Sequence, residues 1–333
     1  MKIGVPRALL YYNYYPAFKK FLEHLGHEVV TSQDTDREVL EKGGKLCVDD
    51  ACLPLKICHG HVKKLLERDE IERVFLPRFI GVERNKFLCP KLFGLPNLIS
   101  NQFDLKYKQL ISPKIDLTKN HRGFLKELIK TGKYLGNGTL KTLKAYRKAI
   151  ISQSEYEEKM LKGKLPRDIL VENNGNALGQ VNAGIADTGI TDTWDTTIAL
   201  LGHSYNINDS YINHKLVDKL RQFGIKIITP EMIEDKHKEE AQKKLEKPLF
   251  WTFGKDIIGS AYYGLKYKAF DGIILVVSFG CGPDSLINEL VERELKQKIP
   301  LLVLTLDEHT GEVGINTRIE AFVEMIKRRK IMA

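Results

Sequence analysis

The sequence predicts an α/β protein made of two parallel-sheet domains. Three observations carry this reading. Short apolar runs of strand length alternate with longer runs at helical spacing, the pattern of successive βαβ units. The run Asp271–Phe279 is apolar almost throughout, as expected of a strand covered on both faces. The chain has 333 residues, more than one core usually serves, and its 43% hydrophobic content is ample for two.

Residues 2–6 read as a short buried strand. Tyr11 to Leu25 places Tyr11, Tyr14, Tyr15, Phe18, Phe21, Leu22 and Leu25 on one helical face, and Gly26 is a helix stop. His27 to Ser32 is the second strand, which completes a right-handed parallel crossover. Asp36 to Glu41 suggests a short helix that Gly43-Gly44 should break. Pro54 and the amphipathic run Leu55–Leu66 place Cys52 just ahead of a helix. Glu72 to Phe79 reads as one strand, and residues 105–112 as another. Leu117 to Lys162 is mostly helical, interrupted near Gly136-Asn137-Gly138.

Residues 168–194 are rich in Gly and Asn without a helical or strand period, so a loop or linker is expected. Thr196 to His203 opens the second α/β unit. A helix over Leu216–Phe223, a strand over Ile225–Thr229 and a helix over Lys255–Lys268 follow. After the strand 271–279, Gly280-Cys281-Gly282-Pro283 turns into a helix over Asp284–Glu294 that Asp284 would cap. Pro300–Leu306 is a further strand and Asn316–Lys330 a last helix. The expected domains are 1–115, 116–194 as a basic helical connector with the Gly/Asn-rich loop, and 195–333. Both α/β domains read as Rossmann-like or flavodoxin-like, but the turn after the first strand lacks G-x-G-x-x-G, so no dinucleotide fingerprint is present.

The net charge of +9 is concentrated. Residues 104–167 hold 16 Lys and Arg against 6 Asp and Glu. Such a face attracts nucleic acid, an acidic protein or a phosphorylated ligand such as coenzyme A, and a solvated helical face explains the same excess. No zinc-finger spacing, helix-turn-helix pattern or aromatic-basic stripe supports nucleic acid. No run reaches bilayer-crossing length, and the N-terminal residues do not read as a signal peptide, so a cytoplasmic protein is expected.

Cysteine is scarce and clustered. Cys47, Cys52 and Cys58 fall within a dozen residues, Cys89 follows in Cys89-Pro90, and Cys281 lies far away. Disulfides are rare in the cytosol, and five is an odd number, so metal or redox chemistry is the expectation. The intervals lack the paired C-x-x-C knuckles of a zinc site. Prolines and glycines beside the cysteines suit cluster sulfurs, which accept backbone N–H bonds. An iron–sulfur cluster, a zinc ion and plain buried or redox thiols all stay open on the cysteines alone. Cys58, inside a helix, reads as a small core residue, and His59 and His61 as helix-facing structural side chains. His203 and Cys281 both follow strands, where open α/β sheets build their sites. Arg318 and Glu320 could anchor a ligand or pair on the surface.

Several stretches resemble the acyl-CoA dehydratase activase-related (CoA-activase-associated) proteins, relatives of the 2-hydroxyacyl-CoA dehydratase subunits and double-cubane cluster proteins. They are Gly4-Val5-Pro6-Arg7-Ala8-Leu9, Ala51-Cys52-Leu53-Pro54-Leu55-Lys56 with Gly60-His61, Cys89-Pro90, Gly202-His203-Ser204-Tyr205-Asn206, Phe279-Gly280-Cys281-Gly282-Pro283-Asp284 and Arg318-Ile319-Glu320-Ala321-Phe322. The resemblance implies a [4Fe-4S] cluster between α/β lobes, ligated by Cys52, Cys89 and Cys281, with Cys47 as the fourth candidate. It also implies a partner, an ATP-hydrolysing activator of the actin-like ATPase type that supplies low-potential electrons. Five cysteines are one short of a double-cubane cluster. Two function classes follow: an enzyme that passes the electron to a small substrate such as an acyl-CoA, with His203 as a catalytic candidate, or a non-catalytic electron-transfer or accessory subunit. A structural zinc protein is the further alternative, and a homo- or hetero-oligomer suits each of them.

Overall fold

The computed structural model describes residues 1–103, 109–119, 121–173, 195–243 and 249–332. The chain divides into two compact units, Met1–Glu158 with Lys247–Lys255, and Lys159–Glu246 with Asp256–Ala333.

The first unit begins with β1 (Lys2–Val5), α1 (Tyr11–His24) and β2 (Glu28–Thr31), and β1 pairs in parallel with β2. The helical spacing of α1 points Tyr11, Tyr15, Phe21 and Leu22 into the core. Next come α2 (Arg37–Leu46), α3 (Leu53–Leu66), β3 (Arg73–Phe75), β4 (Arg78–Gly81), α4 (Pro90–Gln102), β5 (Leu110–Ile111) and β6 (Lys114–Asp116). The basic helices α5 (His121–Tyr134) and α6 (Thr139–Leu161) follow, with the expected interruption at 135–138. Tyr156 on α6 donates its hydroxyl to the Tyr12 carbonyl at 2.7 Å, which pins α6 to α1.

Two expectations fail here for identifiable reasons. Gly43-Gly44 does not break α2, which runs on to Leu46. A Cβ on Gly43 would lie 1.8 Å from the Lys56 carbonyl oxygen, and one on Gly60 would lie 2.0 Å from that of Val39. The glycines therefore let α2 and α3 cross backbone against backbone, a use of glycine that does not end a helix. The run 72–79 is not one strand. Pro77 has no N–H to continue a ladder, so β3 stops at Phe75 and β4 joins β6 in a separate two-stranded parallel sheet. Of the strand expected at 105–112, residues 104–108 lie outside the described residues, and 110–111 form β5.

The second unit contains α7 (Pro166–Asn173), β7 (Thr196–Gly202), α8 (Ser204–Asn208), α9 (Leu216–Gln222), β8 (Ile225–Ile228) and α10 (Asp235–Gln242). Then come α11 (Thr252–Tyr267), which starts in the first unit, β9 (Gly272–Ser278), α12 (Gly282–Leu295), β10 (Leu301–Leu306) and α13 (Glu312–Met332). The start of the expected loop 168–194 belongs to α7, and 174–194 lie outside the described residues.

Each unit has a four-stranded, all-parallel sheet. The orders are β2-β1-β3-β5 and β10-β9-β7-β8. Counted from β2 or β8, both follow the flavodoxin-like order, and the direction in which strands are added reverses between β1 and β3 and between β7 and β9. All seven residues of β9 are buried, as its apolar run predicts. Among the described residues, no helix is long and apolar enough to cross a membrane.

Candidate metal centre

In the second unit, the point of strand reversal gathers the chemistry. β7 ends at Gly202 with φ +157°, and a Cβ there would lie 2.5 Å from the Val276 carbonyl oxygen. Glycine thus lets the end of β7 press against β9, and places His203 at the N-cap of α8. Gly202 is opposite Val276, so β9 extends past it to Ser278. The turn Phe279-Gly280, with Gly280 at φ +70°, then brings the Cys281 N–H to the Ser278 carbonyl at 3.2 Å. Cys281 is buried and occupies the N-cap of α12.

Asp284 does not cap α12 as the sequence suggests. It lies in the first helical turn, and its carboxylate reaches back to the strand ends. Oδ2 accepts the Ser278 N–H at 2.8 Å, and Oδ1 lies 3.0 Å from His203 Nε2. His203 and Asp284 are 8% and 2% exposed, so this is a dry pair. The His203 ring stacks on Tyr205, with centroids 4.9 Å apart and planes at 13°. Ser278 Oγ lies 3.0 Å from Asn206 Oδ1, and Asn213 donates to the carbonyls of Asn206 and Ile207, which fixes α8. Asn206 is fully buried, and its Nδ2 has no hydrogen-bond partner among the described residues. One nitrogen, sulfur or oxygen donor from each of His203, Cys281 and Asp284 lies within 4.8 Å of the other two. That donor set suits a borderline transition metal.

In the first unit, Cys52 is the buried N-cap of α3 and Cys89 the half-buried N-cap of α4. Cys52, Cys89 and Cys281 share one local design. Each is an N-cap that makes no side-chain cap bond, and each has a proline at the first or second helical position. The free N–H groups and dipole of a helix N-terminus favour a thiolate. Cys47 is the opposite case. It caps the carboxyl end of α2, and burial, opposed in part by Lys56, pushes its thiol up to about 11. Cys58 is wholly enclosed within α3, and burial raises its thiol further. The five cysteines form no disulfide.

The histidines of α3 have local partners. His59 Nδ1 lies 2.8 Å from the Leu55 carbonyl. His61 Nε2 lies 2.9 Å from Thr35 Oγ1, and burial, with Arg7 second, lowers its pKa to about 3. Arg318 donates to the Val303 carbonyl at 2.5 Å. Sequence reasoning missed the reach of Asp284 and the part of Asn206. The signals were their position just after the two strands that flank the reversal and their place in stretches that carry the family resemblance.

Over residues 2–233 the chain matches the family described as CoA enzyme activase uncharacterised domain. Over residues 262–326 it matches the family of the 2-hydroxyglutaryl-CoA dehydratase D-component. No curated protein matches it. The first match covers well over half of the sequence, so the chain belongs to the CoA enzyme activase uncharacterised domain family, and both matches relate it to the proteins of the acyl-CoA dehydratase system.

Proposed function

We propose that this chain holds a [4Fe-4S] cluster on Cys52, Cys89 and Cys281. In this reading it serves as a reducing component of 2-hydroxyacyl-CoA dehydratase-type chemistry. The electron comes from an ATP-hydrolysing activator, and the acceptor is a small substrate of the acyl-CoA class. One observation carries the proposal: the same N-cap cysteine with a first-turn proline occurs three times, at the start of α3, α4 and α12. Thiolates at such positions are stabilised without a basic side chain, and backbone N–H groups are at hand for cluster sulfides. Bound there, the cluster would supply low-potential one-electron transfer.

The chain's own residues shape the surroundings of Cys281. Asp284 is fixed by the Ser278 N–H, and it orients the His203 imidazole through Nε2. A proton held at His203 Nε2 is shared with Asp284, in a pocket that both side chains keep dry. His203 is thereby the best placed side chain to exchange a proton near Cys281. Cys47 decides between the two classes of function. Ligation by Cys52, Cys89 and Cys281 alone would leave the cluster open to a substrate, whereas a fourth thiolate from Cys47 would suit an electron carrier. Its place at a helix carboxyl end favours the enzyme.

Anaerobically purified protein is expected to carry about four irons per chain. Cys52→Ser and Cys281→Ser each lose most of that iron, while Cys47→Ser and Cys58→Ser keep it. One equivalent of zinc with no iron after anaerobic reconstitution would overturn the proposal.

A further inference from the structure

The second unit contains a complete three-donor arrangement without help from Cys52 or Cys89. His203, Cys281 and Asp284 come from the ends of β7 and β9 and the first turn of α12, and all three are buried. We infer that, when no cluster is present, these three side chains bind one divalent first-row transition metal. The inference uses only residues of the second unit. It excludes a simultaneous cluster on Cys281, because both occupants need the same sulfur.

Geometry supports it first. Metal bonds of about 2.0–2.3 Å at tetrahedral angles hold neighbouring donor atoms roughly 3.3–3.6 Å apart. His203 Nε2 and Asp284 Oδ1 are already 3.0 Å apart, so a metal replacing the proton between them spreads them only slightly. One donor atom from each of the three side chains lies within 4.8 Å of the other two, a spread that side-chain torsion adjustments can close onto one ion. Charge supports it next. A thiolate, a carboxylate and a neutral imidazole around a divalent ion sum to zero, which relieves the cost of a buried carboxylate.

The surroundings are already arranged as those of a metal site. The Ser278 N–H holds the second carboxylate oxygen of Asp284 at 2.8 Å, and Tyr205 fixes the imidazole plane. Asn206 is hydrogen-bonded to Ser278 through Oδ1. Its buried Nδ2 has no partner among the described residues. The mixed nitrogen, sulfur and oxygen set selects zinc, cobalt or ferrous iron over magnesium and calcium.

The test titrates cobalt(II) into the cluster-free, reduced full-length chain under anaerobic conditions. A thiolate-to-cobalt charge-transfer band with the intense visible bands of tetrahedral cobalt is expected, saturating at one equivalent. Cys281→Ser should abolish the charge-transfer band. Asp284→Asn and His203→Gln should weaken binding by about tenfold or more while circular dichroism stays unchanged. Cys52→Ser, Cys89→Ser and Cys58→Ser should bind as the parent does. Absence of any band in the parent, its persistence in Cys281→Ser, or its loss in Cys52→Ser overturns the inference. If Cys281→Ser does not fold, parental affinity in folded His203→Gln and Asp284→Asn overturns it. The iron count of the cluster-loaded protein reads the cluster proposal separately, since that proposal requires Cys52 and this one does not.

Discussion

Replacing Gly43 by alanine tests how α3, and with it Cys52, is held. The added methyl carbon would sit 1.8 Å from the Lys56 carbonyl oxygen, where ordinary contacts begin at about 3.4 Å. The obstacle is backbone, which no rotamer change relieves, so α2 and α3 must part by roughly 1 Å or more. Overpacking of this kind costs about 1–3 kcal/mol or somewhat more. Better helix propensity returns about 0.5–1 kcal/mol. Gly44 is the control, because a Cβ there meets nothing within 4 Å. Gly44→Ala should therefore gain that propensity term and become more stable. The propensity term is common to both, so the two variants should differ by the overpacking cost of about 1–3 kcal/mol or somewhat more, roughly 2–12 °C in melting temperature for a unit of this size. Thermal unfolding followed by circular dichroism measures the difference, and iron content after anaerobic reconstitution shows whether the start of α3 has moved. Equal melting temperatures for Gly43→Ala and Gly44→Ala would refute the close crossing.

Two further outcomes follow from buried polar groups. Asp284→Ala removes the acceptor of both the Ser278 N–H and His203, and should cost about 2–4 kcal/mol in urea unfolding; Asp284→Asn keeps one carbonyl oxygen for Ser278 and should cost roughly half as much. His61 stays neutral in the fold down to about pH 3, whereas in the unfolded chain it titrates near 6.5, so the unfolded state binds the extra proton and stability falls as pH drops through that window. His61→Gln, which can keep the bond to Thr35, should flatten that slope by at most about 1.4 kcal/mol per pH unit, and parallel curves for parent and variant would contradict the assignment.

The strands and the junctions were legible because their signals are local. The apolar run that became β9, the proline two positions after Cys52 and the glycines around Cys281 each specify their own few residues. The failures were non-local. Gly43 looks like a helix breaker until Lys56 and Val39 arrive against it and Gly60 from another helix. Pro77 ends the first ladder by its missing N–H, but that the residues beyond it join β6 in a separate sheet, while β3 pairs with β5, depends on strands far along the chain. Asp284 reads as a cap because it stands at the expected helix start, just after Gly282-Pro283. Its partner is a histidine from the end of a different strand, and strand order, which no local pattern contains, is what brings the two together. His203 was legible as a residue after a strand, but its partner was not.

The N-cap cysteines separate a structural role from a functional one. Serine, threonine, aspartate or asparagine at such a position ordinarily accepts a hydrogen bond from the N2 or N3 N–H, worth about 1 kcal/mol to the helix. Cys52, Cys89 and Cys281 make no such bond, so three helices forgo it. If these cysteines served folding alone, replacing them by serine would be harmful, as for a buried thiol. If they are kept for their sulfur, serine should cap better and leave the cluster-free protein as stable or more stable. Cys89 is the sharpest case. It is half-buried, and Pro90 removes only the N–H of the first helical position; the Leu92 N–H, which donates to the Cys89 carbonyl at 2.9 Å, is one that a serine oxygen would share. Cys89→Ser should raise the stability of the cluster-free chain by up to about 1 kcal/mol while iron binding falls. Cys58→Ser should do the reverse, because its hydroxyl would be fully enclosed, costing about 1–3 kcal/mol with iron retained. Chemical denaturation of the apo variants, set beside their iron content after reconstitution, gives both readouts. A Cys89→Ser chain that loses stability as Cys58→Ser does would remove the case that this sulfur is there for a ligand.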